Sequence, residues 1–235
     1  MTGTTIVITG ATSGIGHAAS VKLVAMGANV VMLSRNRERA DAAVEDISRL
    51  GAREWQIAAD ERERKAAAEK RARERRGSET DTGLLTGFSA AYAAQDREDE
   101  SHWAADAPDS ALPPASEPGT VRSVPCDLGS LDSVRQAAGR LLIELPSINV
   151  LINNAGVFSL RRRETSDGHE WSLGVNHLGH FLLSNLLLPR LLESAPARIV
   201  VVSSASHRMG RLHFDDINLR ERYRPDEPLI VMGDM

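Results

Sequence analysis

The chain has 235 residues, a net charge of −4 and a single cysteine, Cys126. That length supports one good-sized domain with a sizeable core. The mild negative charge argues against a nucleic-acid or acidic-membrane partner, and one thiol excludes an internal disulfide. No run of about 18 apolar residues occurs, so no membrane span is expected. The opening "MTGTTIVITG" is too short and too soon broken by glycine for a signal peptide, and a cytoplasmic protein is the expectation.

In chain order, "TTIVITG" is a β-branched run closed by glycine, a buried-strand pattern. "SGIGHAASVKLVAMGA" follows as a helix with Ile15, Ala18, Ala19 and Leu23 on one face. "NVVMLSR" is a second strand, and "NRERADAAVEDISRLG" a second helix with Ala40, Val44 and Ile47 at helical spacing and Gly51 as its stop. Residues 53–119 break the pattern. Residues 53–76 are Arg, Glu and Ala with almost no apolar stripe, and 77–119 are acidic and rich in Ser, Ala and Pro. Such a stretch buries too little surface to offset its ordering entropy. It reads as an inserted charged helix followed by disorder, leaving 1–52 and 120–235 as the folded domain. "KRARERR" (Lys70 to Arg76) has the composition of a basic patch, but Glu74 and the acids around it read as a solvated helix. The alternation then resumes: "TVRSVPCDL" as strand, "SLDSVRQAAGRLLIEL" as helix, "INVLINNAG" as strand, "SDGHEWSLGVNHLGHFLLSNLLLPRLLE" as a long helix and "ARIVVVSS" as a fifth strand. Strand and helix at this spacing mean parallel strands with helical crossovers, an α/β fold.

The turn between the first strand and first helix carries Gly10, Thr12, Ser13, Gly14, Ile15 and Gly16. Taken alone it is a tight turn. Between a strand and a helix, its glycines let a pyrophosphate approach free amide N–H groups at a helix N-terminus. The second strand ends in Ser34-Arg35-Asn36, with Arg37 next, where an acid would select a free ribose 2′-hydroxyl. A cation there suits a 2′-phosphate, hence NADP(H) rather than NAD(H); the bland reading is two solvated charges at a helix start. His177 and His180 share a helix face, but with no third ligand at sensible spacing no metal site is expected. Cys126 reads as a small core residue.

Five motifs occur in order: "TGATSGIG", "CDL" (Cys126 to Leu128), "NNAG" (Asn153 to Gly156), "GVNHLGHF" (Gly174 to Phe181) and "VVVSSASH" (Val200 to His207). With them the chain resembles the short-chain dehydrogenase/reductase family, in its retinol-dehydrogenase and WW-domain-oxidoreductase branch. The resemblance implies a Rossmann-type doubly wound parallel sheet in the order 3-2-1-4-5-6-7, of which five strands are present. It implies that Asp127 bonds the adenine and Leu128 borders it, and that Asn153, Ala155 and Gly156 line the ribose and nicotinamide side. Asn176, flanked by Gly174 and Gly179, would distort the long helix and hold a water of a proton relay. Ser204 would hydrogen-bond the substrate oxygen. The implied activity is NADP(H)-dependent oxidoreduction of a small lipophilic carbonyl or alcohol, such as a retinoid or steroid.

The family's chemistry also needs a tyrosine with a lysine four residues later, so that both share a helix face and the cation lowers the phenol pKa. The lysines are Lys22, Lys65 and Lys70, and Tyr223, the only tyrosine after Ser204, is followed four residues on by Glu227. The expectation is a truncated, inactive chain in which "ARIVVVSS" is an exposed edge and the usual dimer helix is missing. The alternatives are a non-catalytic NADP-binding regulatory or interaction protein, or a mis-spliced fragment.

Overall fold

The computed structural model describes residues 1–78, 116–204, 213–221 and 223. Two compact units are present, Met1–Trp55 with Ala115–Met235, and Gln56–Pro114. The first unit holds the sheet. Its strands are β1 (Thr5–Thr9), β2 (Asn29–Ser34), β3 (Val121–Pro125), β4 (Val150–Asn153) and β5 (Arg198–Val201). All pair in parallel, in the order β3-β2-β1-β4-β5. The helices are α1 (Gly14–Ala25), α2 (Arg37–Ser78), α3 (Leu131–Glu144) and α4 (Gly179–Glu193). The sheet is therefore the expected Rossmann-type doubly wound arrangement.

Its two faces follow from the period of two along each strand. Ile6 and Ile8 of β1, with Val30 and Met32 of β2, pack on Val21 and Val24 of α1 and Ala43 and Ile47 of α2. Val7, Val31 and Leu33 point the other way, onto Val134, Ala138 and Leu141 of α3 and Leu183 and Leu187 of α4. Strands buried on both faces have no polar side to show, which is why β1 and β2 are near-continuous apolar runs. β5 differs. It is an edge strand with Ile199 42% and Val201 46% exposed, and no residue of it is buried. Among the described residues no helix is long and apolar enough to cross a membrane.

The second helix corrects the sequence reading. Gly51 does not stop it; α2 continues through the charged stretch to Ser78. Gly51 is buried, and a Cβ there would lie 2.6 Å from Val24 Cγ1 and 2.9 Å from Val24 Cβ. Its role is close approach of α2 to α1. Beyond it, residues 60–72 are exposed all round, as the lack of an apolar stripe requires. Of the stretch expected to be disordered, residues 79–115 lie outside the described residues. The chain re-enters at Gly119, whose N–H donates to Val24 O at 2.7 Å and where a Cβ would meet Ala28 O at 1.9 Å.

In an open helix interior, Gly→Ala stabilises by up to about 1 kcal/mol. At Gly51 the overlap with Val24 outweighs that gain. Gly51→Ala is expected to lower stability by about 1–3 kcal/mol, read as a drop in the thermal unfolding midpoint. A raised midpoint would show that α2 is free to shift.

Candidate cofactor and active site

The strand order reverses at β1, between β2 and β4, and a cleft of about 1090 Å³ opens over the carboxyl ends of the strands there. Its walls come from the turn after β1, the end of β2, residues 126–128, residues 154–158, the stretch 171–176 and residues 202–204.

The turn is shaped by two close approaches. Gly10 has φ +68°, and a Cβ on it would lie 2.6 Å from Ala155 Cα. A Cβ on Gly16 would lie 2.5 Å from Gly10 O and 2.4 Å from Asn154 Nδ2. Gly14, with φ +59°, faces open space. Ser13 sits at the N-cap of α1 without making a side-chain cap, and the first turn holds no acid. The first N–H groups of a 12-residue helix are thus unspent by capping beside a glycine that lets a ligand come close. This donor set fits the pyrophosphate of a dinucleotide.

Arg35, just after β2, and Arg39, in the first turn of α2, are exposed and line the cleft. Asn36 also lines it, but its carboxamide oxygen accepts the Arg39 N–H at 2.8 Å and caps α2. Asp127 Oδ1 accepts the Gly129 N–H at 2.9 Å, and Leu128 beside it is buried in the core. Burial, with Asp127 adding to it, pushes the Cys126 thiol up to about 12, so it is an inert wall at neutral pH.

The "NNAG" loop is held by Thr9, which the sequence reading did not single out. The Thr9 hydroxyl oxygen accepts the N–H groups of Asn154 and Ala155, each at 2.9 Å. It also lies 2.8 Å from His180 Nε2. His180 Nδ1 is 2.9 Å from Asn176 O, a carbonyl that can only accept, so Nδ1 carries the hydrogen. Nε2 is then the acceptor of the Thr9 hydroxyl proton. Asn154 Nδ2 donates to Thr9 O and Gly10 O at 3.0 Å each. Asn153, expected at the cofactor, instead turns into the protein and donates to Ser184 Oγ at 3.0 Å; it does not line the cleft, and neither does Gly14. Ala155 and Gly156 do.

The long helix is a π-helix over Leu173–Leu178, with Asn176 inside it. Asn176 Oδ1 accepts the Val157 N–H at 2.8 Å and its Nδ2 donates to Val157 O at 3.0 Å, a two-point clamp on the loop. The flanking glycines permit contact: a Cβ on Gly174 would lie 2.3 Å from Thr165 Cγ2, and one on Gly179 2.5 Å from Leu128 O. Ser203 and Ser204 reach the cleft from the end of β5. Tyr223 does not line it; its hydroxyl donates to Ser159 O at 2.5 Å. Burial, with Glu170 nearby, raises its pKa further from neutrality than the Ser159 bond lowers it.

The sheet order and the cleft at its reversal define a Rossmann-type α/β protein built around a nucleotide-sized groove. The chain belongs to the short-chain dehydrogenase family, whose model matches residues 4–78 and 82–215. Human retinol dehydrogenase 14 is 38% identical over 223 residues, which cover 95% of this chain and 51% of that protein. The chain spans about half the length of the curated relatives it matches. Among solved structures, an uncharacterised protein from Mycobacterium Paratuberculosis is 28% identical with a TM-score of 0.59, covering 97% of this chain and 56% of that one. A metagenomic short-chain oxidoreductase solved in complex with NADP shares the fold at a TM-score of 0.51 and 21% identity, over 87% of this chain and 64% of that one.

Burial lowers the His180 pKa, more than the Asn176 bond raises it, and His177 adds to the lowering. The unfolded imidazole titrates near about 6.5 and the folded one lower, so below about 6.5 the unfolded state takes up more protons. Stability from this group is complete above that pH and lost as pH falls toward the folded value. The gap in unfolding midpoint between the wild type and His180→Gln is expected to be widest near pH 7.5 and to shrink by pH 5.5. A gap that stays constant would show that His180 does not titrate with unfolding.

Proposed function

We propose that the cleft binds NADP(H) and that the protein's chemistry is oxidoreduction of a lipid-like carbonyl or alcohol such as a retinoid or steroid, a retinoid being the class that the names of the retinol dehydrogenase relatives suggest. The observation that carries the cofactor reading is the pairing of an uncapped α1 N-terminus with Arg35, just after β2, and Arg39, in the first turn of α2, both of which line the cleft while Glu38 between them does not.

A bound nicotinamide supplies or accepts the hydride. Ser204, at the end of β5, donates its hydroxyl hydrogen to the substrate oxygen and stabilises charge there. Asn176 fixes the loop that borders the site through Val157. Reduction also delivers a proton to the substrate oxygen, and these 235 residues contain no Tyr-x-x-x-Lys to provide it. Tyr223 is no substitute, being bonded to Ser159 with its pKa displaced upward. We therefore propose that the 235 residues bind cofactor without turnover.

Titration calorimetry is expected to give tighter binding of NADPH than NADH. Arg35→Ala should cost NADPH about tenfold in affinity, the worth of one charged hydrogen bond, and leave NADH unchanged. Equal affinities in the wild type would overturn the NADP(H) reading. The same protein is expected to oxidise no NADPH above blank with retinal or a simple ketone, and measurable turnover would require a different acid.

A further inference from the structure

We propose that Trp171 sets cofactor specificity, by holding Arg35 and Arg163 as a guanidinium pair for the 2′-phosphate. The proposal rests on the NADP(H) reading above and adds a second side of the site to it. Trp171 lines the cleft together with Arg35, Asp127 and Leu128. The Arg35 guanidinium carbon lies 5.7 Å from the centroid of its ring, and that of Arg163 lies 4.5 Å away. Both distances fall within cation–π range. One indole thus gathers cations from two distant parts of the chain.

The seat is built. Glu164 and Glu170 form an antiparallel bridge, and the Trp171 N–H donates to Arg163 O at 3.0 Å, so residues 163 and 171 are held abreast. The loop between them is pinned to the segment after Leu128. Ser166 Oγ donates to Gly129 O at 3.0 Å, and Asp167 Oδ2 accepts the Leu131 N–H at 2.9 Å. A Cβ on Gly129 would come within 3.1 Å of Trp171 Cζ3, so the ring is backed closely.

Among the described lining residues, Arg35 and Arg39 outnumber the acid Asp127. Among the described residues, Arg35, Arg39 and Arg163 form no ion pair with a carboxylate, whereas neighbouring Arg162 is paired with Glu164 at 2.6 Å. Arg35 and Arg39 line the cleft, and Arg163, outside that lining, joins Arg35 on the Trp171 ring; cations gathered this way repel one another, and a dianion relieves that repulsion. A ribose 2′-phosphate supplies that charge, and a free 2′-hydroxyl does not. Trp171 is accordingly a positioning residue for Arg35 and Arg163.

The test is the ratio of NADPH to NADH affinity, measured by titration calorimetry on folded protein. This ratio is insensitive to the fraction of active molecules. Trp171→Ala is expected to reduce the ratio about tenfold, which is about 1.4 kcal/mol, with Trp171→Phe retaining most of it. Arg163 is exposed, so Arg163→Ala leaves the fold alone and should reduce the ratio in the same direction. If the wild type prefers NADPH and Trp171→Ala and Arg163→Ala both keep its ratio, the Trp171 assignment is wrong and the NADP(H) reading stands. If the wild type shows no preference, the NADP(H) reading has failed and takes this assignment with it.

Discussion

The hydroxyl of Thr9, fully buried at the end of the central strand, accepts two backbone N–H groups from the loop after β4 and donates to His180 of α4. Three segments meet at one oxygen: β1, the loop at 154–155 and the helix that carries Asn176. An unpaired buried donor costs about 1–3 kcal/mol, and this oxygen satisfies two of them. The remainder of the cleft is arranged around that junction. Asn154 ties back to the carbonyls of Thr9 and Gly10, and Asn176 clamps Val157 two residues beyond Ala155. The proton inventory closes only if His180 is neutral with its hydrogen on Nδ1, which agrees with the direction in which burial moves it.

Around that junction, backbones approach more closely than side chains permit. Gly10 abuts Ala155, Gly16 abuts Gly10, Gly174 abuts Thr165 and Gly179 abuts Leu128. The contact of Gly10 with Ala155, and that of Gly16 with Asn154, join the turn after β1 to the loop after β4. Gly10 and Gly16 of "TGATSGIG" and both glycines of "GVNHLGHF" are thus a packing requirement as much as a ligand requirement. The π-turn at Leu173–Leu178 works in the same direction, since it lets Asn176 face the loop while its own carbonyl receives His180.

Much of this was legible in the chain. Five apolar β-branched runs separated by helical spacing determine a parallel sheet, and the turn glycines locate where a ligand can approach. What was not legible depends on contacts between distant residues. Gly51 reads as a helix stop because glycine commonly is one, and only its contact with Val24 shows why it is glycine. Asn153 and Asn154 are equivalent in sequence. At the end of a strand consecutive side chains point to opposite sides, so Asn153 turns to Ser184 and Asn154 to the phosphate turn. Asn36 was visible as a polar residue at the right place, yet a helix needing a cap claims its oxygen. Trp171 and Arg163 carry no periodic signal, and neither signals its neighbour across the cleft.

The cleft is assembled from six stretches of chain, and the bonds that hold it join residues up to 171 positions apart. The cleft is complete only after the non-local parallel pairing of β1 with β4, a slow kind of contact for a chain to make. A molecule that fits the cleft therefore recognises the folded state alone, with no partial version of the site on offer to it. Its binding free energy adds to folding as RT ln(1 + [L]/Kd), about 2.7 kcal/mol when it is present at about a hundred times its dissociation constant. Among the described residues β5 is the sheet's outer strand, and a ligand held in the cleft would add that free energy to the cohesion of the whole sheet, the exposed strand included.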